Sequence, residues 1–143
     1  MSDILRLPAS LESLVPLRKF MNRRAEEDGV PETPLRRIEL VMEELVVNLV
    51  EHAYLEHTGD VEVTCGIEAV SDSTAKQYVI YIRDWSHPFN PLDAPDPDLD
   101  SDIEHRAIGG LGLHFVRMMS DECTYEREGD ANIIRLAFNI PEA

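Results

Sequence analysis

Glu43-Glu44-Leu45-Val46-Val47-Asn48-Leu49-Val50-Glu51-His52-Ala53-Tyr54 is the stretch on which the reading of this chain turns. It lies in a run from Leu35 to Leu55 that reads as one long helix. At about 100° per residue, with Glu44 set at 0°, Asn48 falls at about 40°, Glu51 at about −20° and His52 at about 80°. Ile38, Val41, Met42, Leu45, Val46, Leu49, Val50 and Ala53 fill most of the remaining circumference. So apolar a helix is predicted to be largely buried. It nevertheless carries a narrow polar stripe, Glu44, Asn48 and Glu51, and carboxylates and amides are costly to bury without partners. Two readings fit. The stripe lines a ligand cavity, with Asn48 offering a carbonyl oxygen to a hard cation and Glu44 acting as a base. Otherwise it is the solvated side of an amphipathic helix.

The chain has 143 residues, enough for one domain with a proper core. Its formal net charge of −15 repels nucleic acid and anionic lipid, so direct binding to either is not expected. No run is long and apolar enough to span a membrane, and MSDILRLPAS does not read as a signal peptide, so a cytoplasmic location is expected. Cys65 and Cys123 are far apart, form no metal pattern and read as reduced core thiols.

Upstream of the long helix, Ile4 to Leu7 reads as a short strand ended by Pro8. Ser10 or Ser13 can cap a helix running to about Asp28, with Leu11, Leu14, Leu17, Phe20 and Met21 on its apolar side. Pro16 requires that this helix either start near Ser13 or kink. Arg18, Lys19, Arg23 and Arg24 form a basic patch, read as a solvated face balanced by Glu26, Glu27 and Asp28 or as a partner-docking face. Gly29 is a natural stop, and Thr33-Pro34 supplies a cap and a first-turn proline for the long helix.

Downstream, Val61, Val63, Cys65 and Ile67 alternate with polar residues, and Tyr78 to Ile82 is a continuous β-rich run suited to a central strand. The two read as a hairpin, with Asp84 at the exit of the second strand. From Ser86 to Ile108 prolines and acidic residues interrupt any periodicity, as in a lid. The series Asp96, Asp98, Asp100, Asp102 is not a calcium loop. Ser101 stands where the turn glycine belongs, and Ala107 where the last carboxylate belongs. Gly109-Gly110-Leu111-Gly112 then opens an apolar helix through Met119. Such a start can offer N–H groups to a phosphate, or simply pack tightly. Neither a Rossmann turn nor a P-loop matches its spacing. Strands from Glu122 to Arg127 and from Ile133 to Ile140 flank a turn at Gly129-Asp130.

A polar stripe on a buried helix, an aspartate at a strand end and a glycine-rich helix start after a lid suit the cation, the base and the phosphates of a nucleotide. At these residues the chain resembles the gyrase, Hsp90, histidine-kinase and MutL ATP-binding superfamily. It looks most like the bacterial branch of small anti-sigma-factor serine/threonine kinases of partner-switching pathways. Glu44-Leu-Val-Val-Asn48 matches the Glu-x-x-x-Asn box, and Glu51-His52-Ala53-Tyr54 is similar to this branch. Asp84 matches the adenine-binding aspartate, Phe89-Asn90-Pro91 the Phe-Asp-Pro that often follows it, and Gly110-Leu111-Gly112 the second glycine box.

The resemblance covers essentially the whole chain. It implies an α/β (α+β) two-layer sandwich, a mixed, mostly antiparallel sheet with about three helices on one face. Residues 1–143 would form one ATP-binding domain with a lid over 86–108. The implied cofactors are ATP and Mg²⁺. By this likeness Asn48 coordinates Mg²⁺, and Glu44 polarises or deprotonates the attacking hydroxyl. Asp84 accepts from the adenine amine, with His52 and Phe89 beside the nucleotide. Gly109, Gly110, Leu111 and Gly112 hold phosphates, and Arg106 offsets charge during transfer. The implied partners are an anti-anti-sigma protein as substrate and a sigma factor, and the branch suggests a homodimer. The first glycine box departs from the pattern: Asp84-Trp85-Ser86-His87-Pro88 lacks both glycines, and Asn90 replaces an aspartate. That departure motivates an alternative, a non-catalytic binding module that is gated by nucleotide or has lost it.

Overall fold

Apolar residues recurring every second position build a sheet here, and those recurring every third or fourth build the helices that cover it. The computed structural model describes residues 4–49, 59–70, 75–86, 88, 116 and 119–140. In chain order they form β1 (Ile4–Pro8), a 3₁₀ turn (Leu11–Ser13), α1 (Leu14–Glu27), α2 (Glu32–Asn48), β2 (Asp60–Ala69), β3 (Lys76–Asp84), β4 (Glu122–Glu128) and β5 (Ala131–Ile140). The strands make an open five-stranded sheet in the order β1-β2-β3-β5-β4. Every pairing among the described residues is antiparallel, where the sequence reading left room for a parallel one.

Register puts one set of side chains on the inner face. Leu5 pairs with Val63, Val63 with Ile82, Ile82 with Ile134 and Ile134 with Tyr125. Paired residues of antiparallel strands share a face, so this row and its neighbours form one apolar surface. Leu17, Phe20 and Met21 of α1 and Ile38, Leu45 and Leu49 from α2 and its end join them in a single buried cluster. Tyr78, Val79 and Ile80 are fully buried, as the continuous run in the central strand predicts. The third expected helix falls largely outside the described residues. Within it, Val116 and Met119 have helical backbone, and Val116 is buried in the core.

The helix boundaries correct the sequence reading in detail. α1 follows Ser13 directly, so Pro16 sits in its first turn, where no N–H donor is needed. Neither Ser10 nor Ser13 caps a helix through its side chain; Ser13 Oγ donates to Pro8 O at 2.7 Å instead, tying the turn to β1. α2 starts at Glu32, so Thr33 is not its cap and Pro34 lies within the first turn. Gly29 ends α1 as expected. Its φ is 74°, Gly29 N donates to Glu26 O at 3.1 Å and Val30 N to Ala25 O at 2.9 Å, the two bonds of a Schellman motif.

A polar cluster then fixes the end of α1 on the sheet. The hydroxyl of buried Tyr78 donates to Asp28 Oδ2 at 3.0 Å and lies 3.4 Å from Cys65 Sγ. Arg24 Nη2 donates to Cys65 O at 3.2 Å. Burial, then the neighbouring Cys65 and Asp28, push the Tyr78 phenol far above its ordinary value. Burial also pushes the Cys65 thiol up. The folded chain therefore keeps a phenol proton that the unfolded chain loses above about pH 10. The stabilisation is complete below that pH and is lost progressively above it. Tyr78→Phe should flatten this alkaline decline. Urea midpoints at pH 8 and pH 11 for both proteins measure it, and equal declines would count against the account.

Candidate functional site

α2 has two unlike flanks. With Glu44 again at 0° and about 100° per residue, Ile38, Leu45 and Leu49 centre near 120° and enter the core. Glu39, Met42 and Glu43 lie further round and line a groove with Leu14, Leu17, Arg18 and Met21 of α1. Arg18 Nη2 lies 3.4 Å from Glu43 Oε2 across it. α1 thus covers that flank, and Glu44 and Asn48 lie on the other.

Asn48 is 1% exposed, which excludes the solvated reading for this residue. Its Nδ2 donates to Glu44 O at 2.7 Å, one turn back. A carbonyl oxygen accepts there, so the amide nitrogen must face it, and this fixes the amide orientation. Asn48 Oδ1 is buried and accepts no hydrogen bond. An acceptor left in that condition costs about 1–3 kcal/mol. A neutral carbonyl oxygen, oriented and unsatisfied, suits a hard cation such as Mg²⁺, which keeps several waters and takes few protein ligands. Glu44, half-buried, stands one turn before it on the same flank. Among the described residues no cluster of three or more His, Cys, Asp or Glu side chains is placed to hold a metal by itself.

Asp84, the last residue of β3, faces inward and is 1% exposed. It pairs with Val61 on one side and Asn132 on the other, and Asn132 in turn pairs with Arg127. Three donors meet on Asp84 Oδ1: Ser86 N at 3.0 Å, Ser86 Oγ at 2.6 Å and Asn132 Nδ2 at 3.0 Å. Asn132 Nδ2 also lies 3.1 Å from Ser86 Oγ. The Asn132 Oδ1 accepts from the Tyr125 hydroxyl and, at 3.1 Å, from Arg127 Nη1, which also donates to Ser86 O at 2.9 Å. Asn132 is thus held from both ends. Oδ2 of Asp84 accepts no hydrogen bond among the described residues, so it is the oxygen that remains for an amine donor.

Ser86 stands where the resembled first glycine box has a glycine. Its hydroxyl is turned onto Asp84 and forms part of the aspartate's support. Trp85 points to the opposite face, as strand alternation requires, where the Arg6 guanidinium lies 4.3 Å from its ring centroid. Arg6 is itself paired with Asp60 at 2.9 Å.

The structure therefore links Glu44 with Asn48 and surrounds Asp84 with a polar row. The buried cluster that holds Leu45 and Leu49, around Asn48, also holds Val61 and Ile82, around Asp84. His52, Phe89, Arg106, Gly109, Gly110, Leu111 and Gly112, with most of the expected lid 86–108, lie outside the described residues. Asn132, Tyr125 and Arg127 were missed in the sequence. Asn132 did leave a signal, since it begins the inward series Asn132, Ile134, Leu136, Phe138 as a polar residue on an otherwise apolar face.

A model of the histidine kinase-like ATPase domain matches residues 7–138. The serine-protein kinase RsbW of Bacillus cereus (strain AH187) is 23% identical over 120 residues, covering 82% of this chain and 72% of that protein. RsbW of Bacillus anthracis (strain A0248) is similar to the same extent. The crystal structure of the RsbU and RsbW domains of Rv1364c from Mycobacterium tuberculosis superposes with a TM-score of 0.65 at 15% identity. That match covers 98% of this chain and spans about a third (32%) of the larger polypeptide, and it shows a shared fold.

The Asp84 row makes a sharp demand on Asn132. Asn132→Ala removes one donor from Asp84 and leaves Tyr125 and Arg127 without their shared acceptor. The expected loss is about 2–3 kcal/mol of stability. Urea unfolding followed by the fluorescence of Trp85, the chain's one tryptophan, reads it. A loss within error of zero would mean that the row carries no weight.

Proposed function

This chain belongs to the histidine kinase-like ATPase domain family, and from that premise we propose that it is an ATP-dependent serine/threonine protein kinase of a partner-switching pathway. Its substrate is an anti-anti-sigma protein, and it holds a sigma factor or similar regulator in the alternative complex. The likeness to serine-protein kinase RsbW supports this reading. The observation that carries it is the buried, oriented and unsatisfied Oδ1 of Asn48.

The roles follow from chemistry. A bound Mg²⁺ would supply positive charge against the nucleotide's phosphates. Asn48 Oδ1 is the protein atom suited to hold it. Asp84 Oδ2 accepts from the exocyclic amine of adenine, while Ser86 and Asn132 keep the carboxylate from turning. The N–H groups of Gly109 to Gly112 receive phosphate oxygens, and Arg106 offsets the charge that spreads over the transferring group. In the transfer, the acceptor's hydroxyl oxygen bonds to the γ-phosphorus as the bond from that phosphorus to the β–γ bridging oxygen breaks. ADP leaves, and the hydroxyl proton passes to the Glu44 carboxylate.

Two variants separate these roles. Calorimetry should show Mg-dependent ATP binding that Asn48→Ala abolishes while circular dichroism stays native. Glu44→Gln should leave ATP affinity within about threefold and lower phosphate transfer by a factor of about 10² to 10⁴, read with labelled ATP and candidate antagonist proteins. No ATP binding at millimolar concentration would sink the nucleotide reading. Binding without transfer to any partner would mark a nucleotide-gated module instead.

A further inference from the structure

The flank of α2 that carries Glu44 also carries a cation with no counterion among the described residues. Arg37 lies two turns before Glu44, at about 20° on the same scale. Its Nε is buried and makes no hydrogen bond, and the guanidinium forms no ion pair among the described residues. Several other arginines are committed: Arg6 to Asp60, Arg18 to Glu43, Arg36 to Glu32 and Arg135 to Glu68 and Glu122. Between Arg37 and Glu44, three residues from one and four from the other, stands Leu40, which is 53% exposed. Residues at those spacings are neighbours on a helix surface. A guanidinium, an exposed leucine and the carboxylate assigned as base therefore follow one another along a single ridge.

The charge of this ridge narrows its occupant. In a chain of net charge −15, a half-buried guanidinium with no ion pair among the described residues attracts an anion. The nucleotide's own phosphates are assigned to Asn48, about 16 Å further along the helix axis and beyond the reach of the Arg37 side chain. The other molecule that must approach Glu44 is the one that brings the hydroxyl. From Arg37 to Glu44 is about 10 Å along the axis, which about three residues of extended chain span.

We propose that Arg37 and Leu40 form a docking ledge for the acceptor protein, with Leu40 as the apolar contact and Arg37 reading an acidic side chain about three residues from the phosphorylated hydroxyl. The inference rests on the kinase reading above and names the substrate feature that the same site selects. Arg37 is then a specificity residue. It touches the acceptor and plays no part in holding nucleotide.

The test uses the full chain, Mg·ATP and two synthetic serine peptides. They are identical except for Asp or Lys three residues to either side of the serine. The wild-type protein should label the Asp peptide with kcat/KM roughly fivefold above the Lys peptide, the scale of one exposed charge pair. Arg37→Glu should invert that preference through KM, with kcat for the favoured peptide and the calorimetric affinity for Mg·ATP unchanged. Equal labelling of the peptides, an unchanged preference in Arg37→Glu, or no labelling while calorimetry still shows Mg·ATP binding would each overturn the ledge and leave the nucleotide reading standing. No Mg·ATP binding by the wild-type protein in calorimetry would remove the reading beneath it and the ledge with it. If Arg37→Glu changes self-association in ultracentrifugation and leaves the preference intact, the ridge meets a second copy of this chain, and the proposal fails.

Discussion

Asp84 is a carboxylate held almost wholly out of water, and burying it is tolerable only because three donors converge on one of its oxygens. Each donor is placed by something else. Asn132 is opposite Asp84 because β3 and β5 are in that register, and a shift by one residue would turn the amide to the outer face. Ser86 reaches back because the chain leaves β3 in a turn that the aspartate itself caps. Arg127, from the edge strand, then holds both Ser86 O and Asn132 Oδ1. The polar row is thus a consequence of sheet pairing across three strands, and it points the remaining oxygen of Asp84 in one direction.

The helical layer solves a second problem of the same kind. α2 must bury its apolar side on the sheet and still keep one flank open to chemistry. It does so because α1 packs against the flank of Glu39, Met42 and Glu43, held at one end by the Schellman turn at Gly29 and by the Tyr78, Asp28 and Arg24 cluster. With α1 anchored there, the opposite flank is left to Arg37, Glu44 and Asn48. The Tyr78 cluster lies at the far end of β3 from Asp84, so the anchor and the candidate site occupy opposite ends of the same strand.

Much of this was legible in the sequence, for reasons that differ by element. The period-two pattern in Val61 to Ile67 and the β-rich run at Tyr78 to Ile82 specified a hairpin, and the structure extends both strands to Ala69 and Asp84. The stripe of Glu44 and Asn48 was visible because two polar residues interrupt an apolar helix. Its depth was not, since periodicity gives direction around a helix and says nothing of what covers it. Asn132 was passed over because a single polar residue at the start of a strand reads as its end. Tyr125 and Arg127 carry no local signal, and only cross-strand register brings them to Asn132. The helix starts were displaced because a serine or threonine near a boundary suggests a cap. Here Ser13 turns to Pro8 O, and α2 begins two residues ahead of Pro34.

The choice of an amide at position 48 also bears on how so acidic a chain could accept a polyanion. A nucleotide approaching a net charge of −15 meets repulsion that only local positive charge can offset. A carboxylate at that point would bind a cation more strongly, yet it would cancel part of the charge needed by the phosphates. Asn48 would contribute an oxygen and no charge, so the full positive charge of a bound cation would remain available to the nucleotide. The amide's weaker pull on a bare cation suits a metal that arrives already bound to phosphate rather than one resident in the protein. On the other side, Arg127 places a guanidinium one hydrogen-bonded residue away from Asp84, so the aspartate's negative field is partly compensated without its free oxygen being occupied. Asn48 and the compensated Asp84 would therefore add little negative charge toward the ligand, which leaves Glu44 as the carboxylate that faces it on the α2 side.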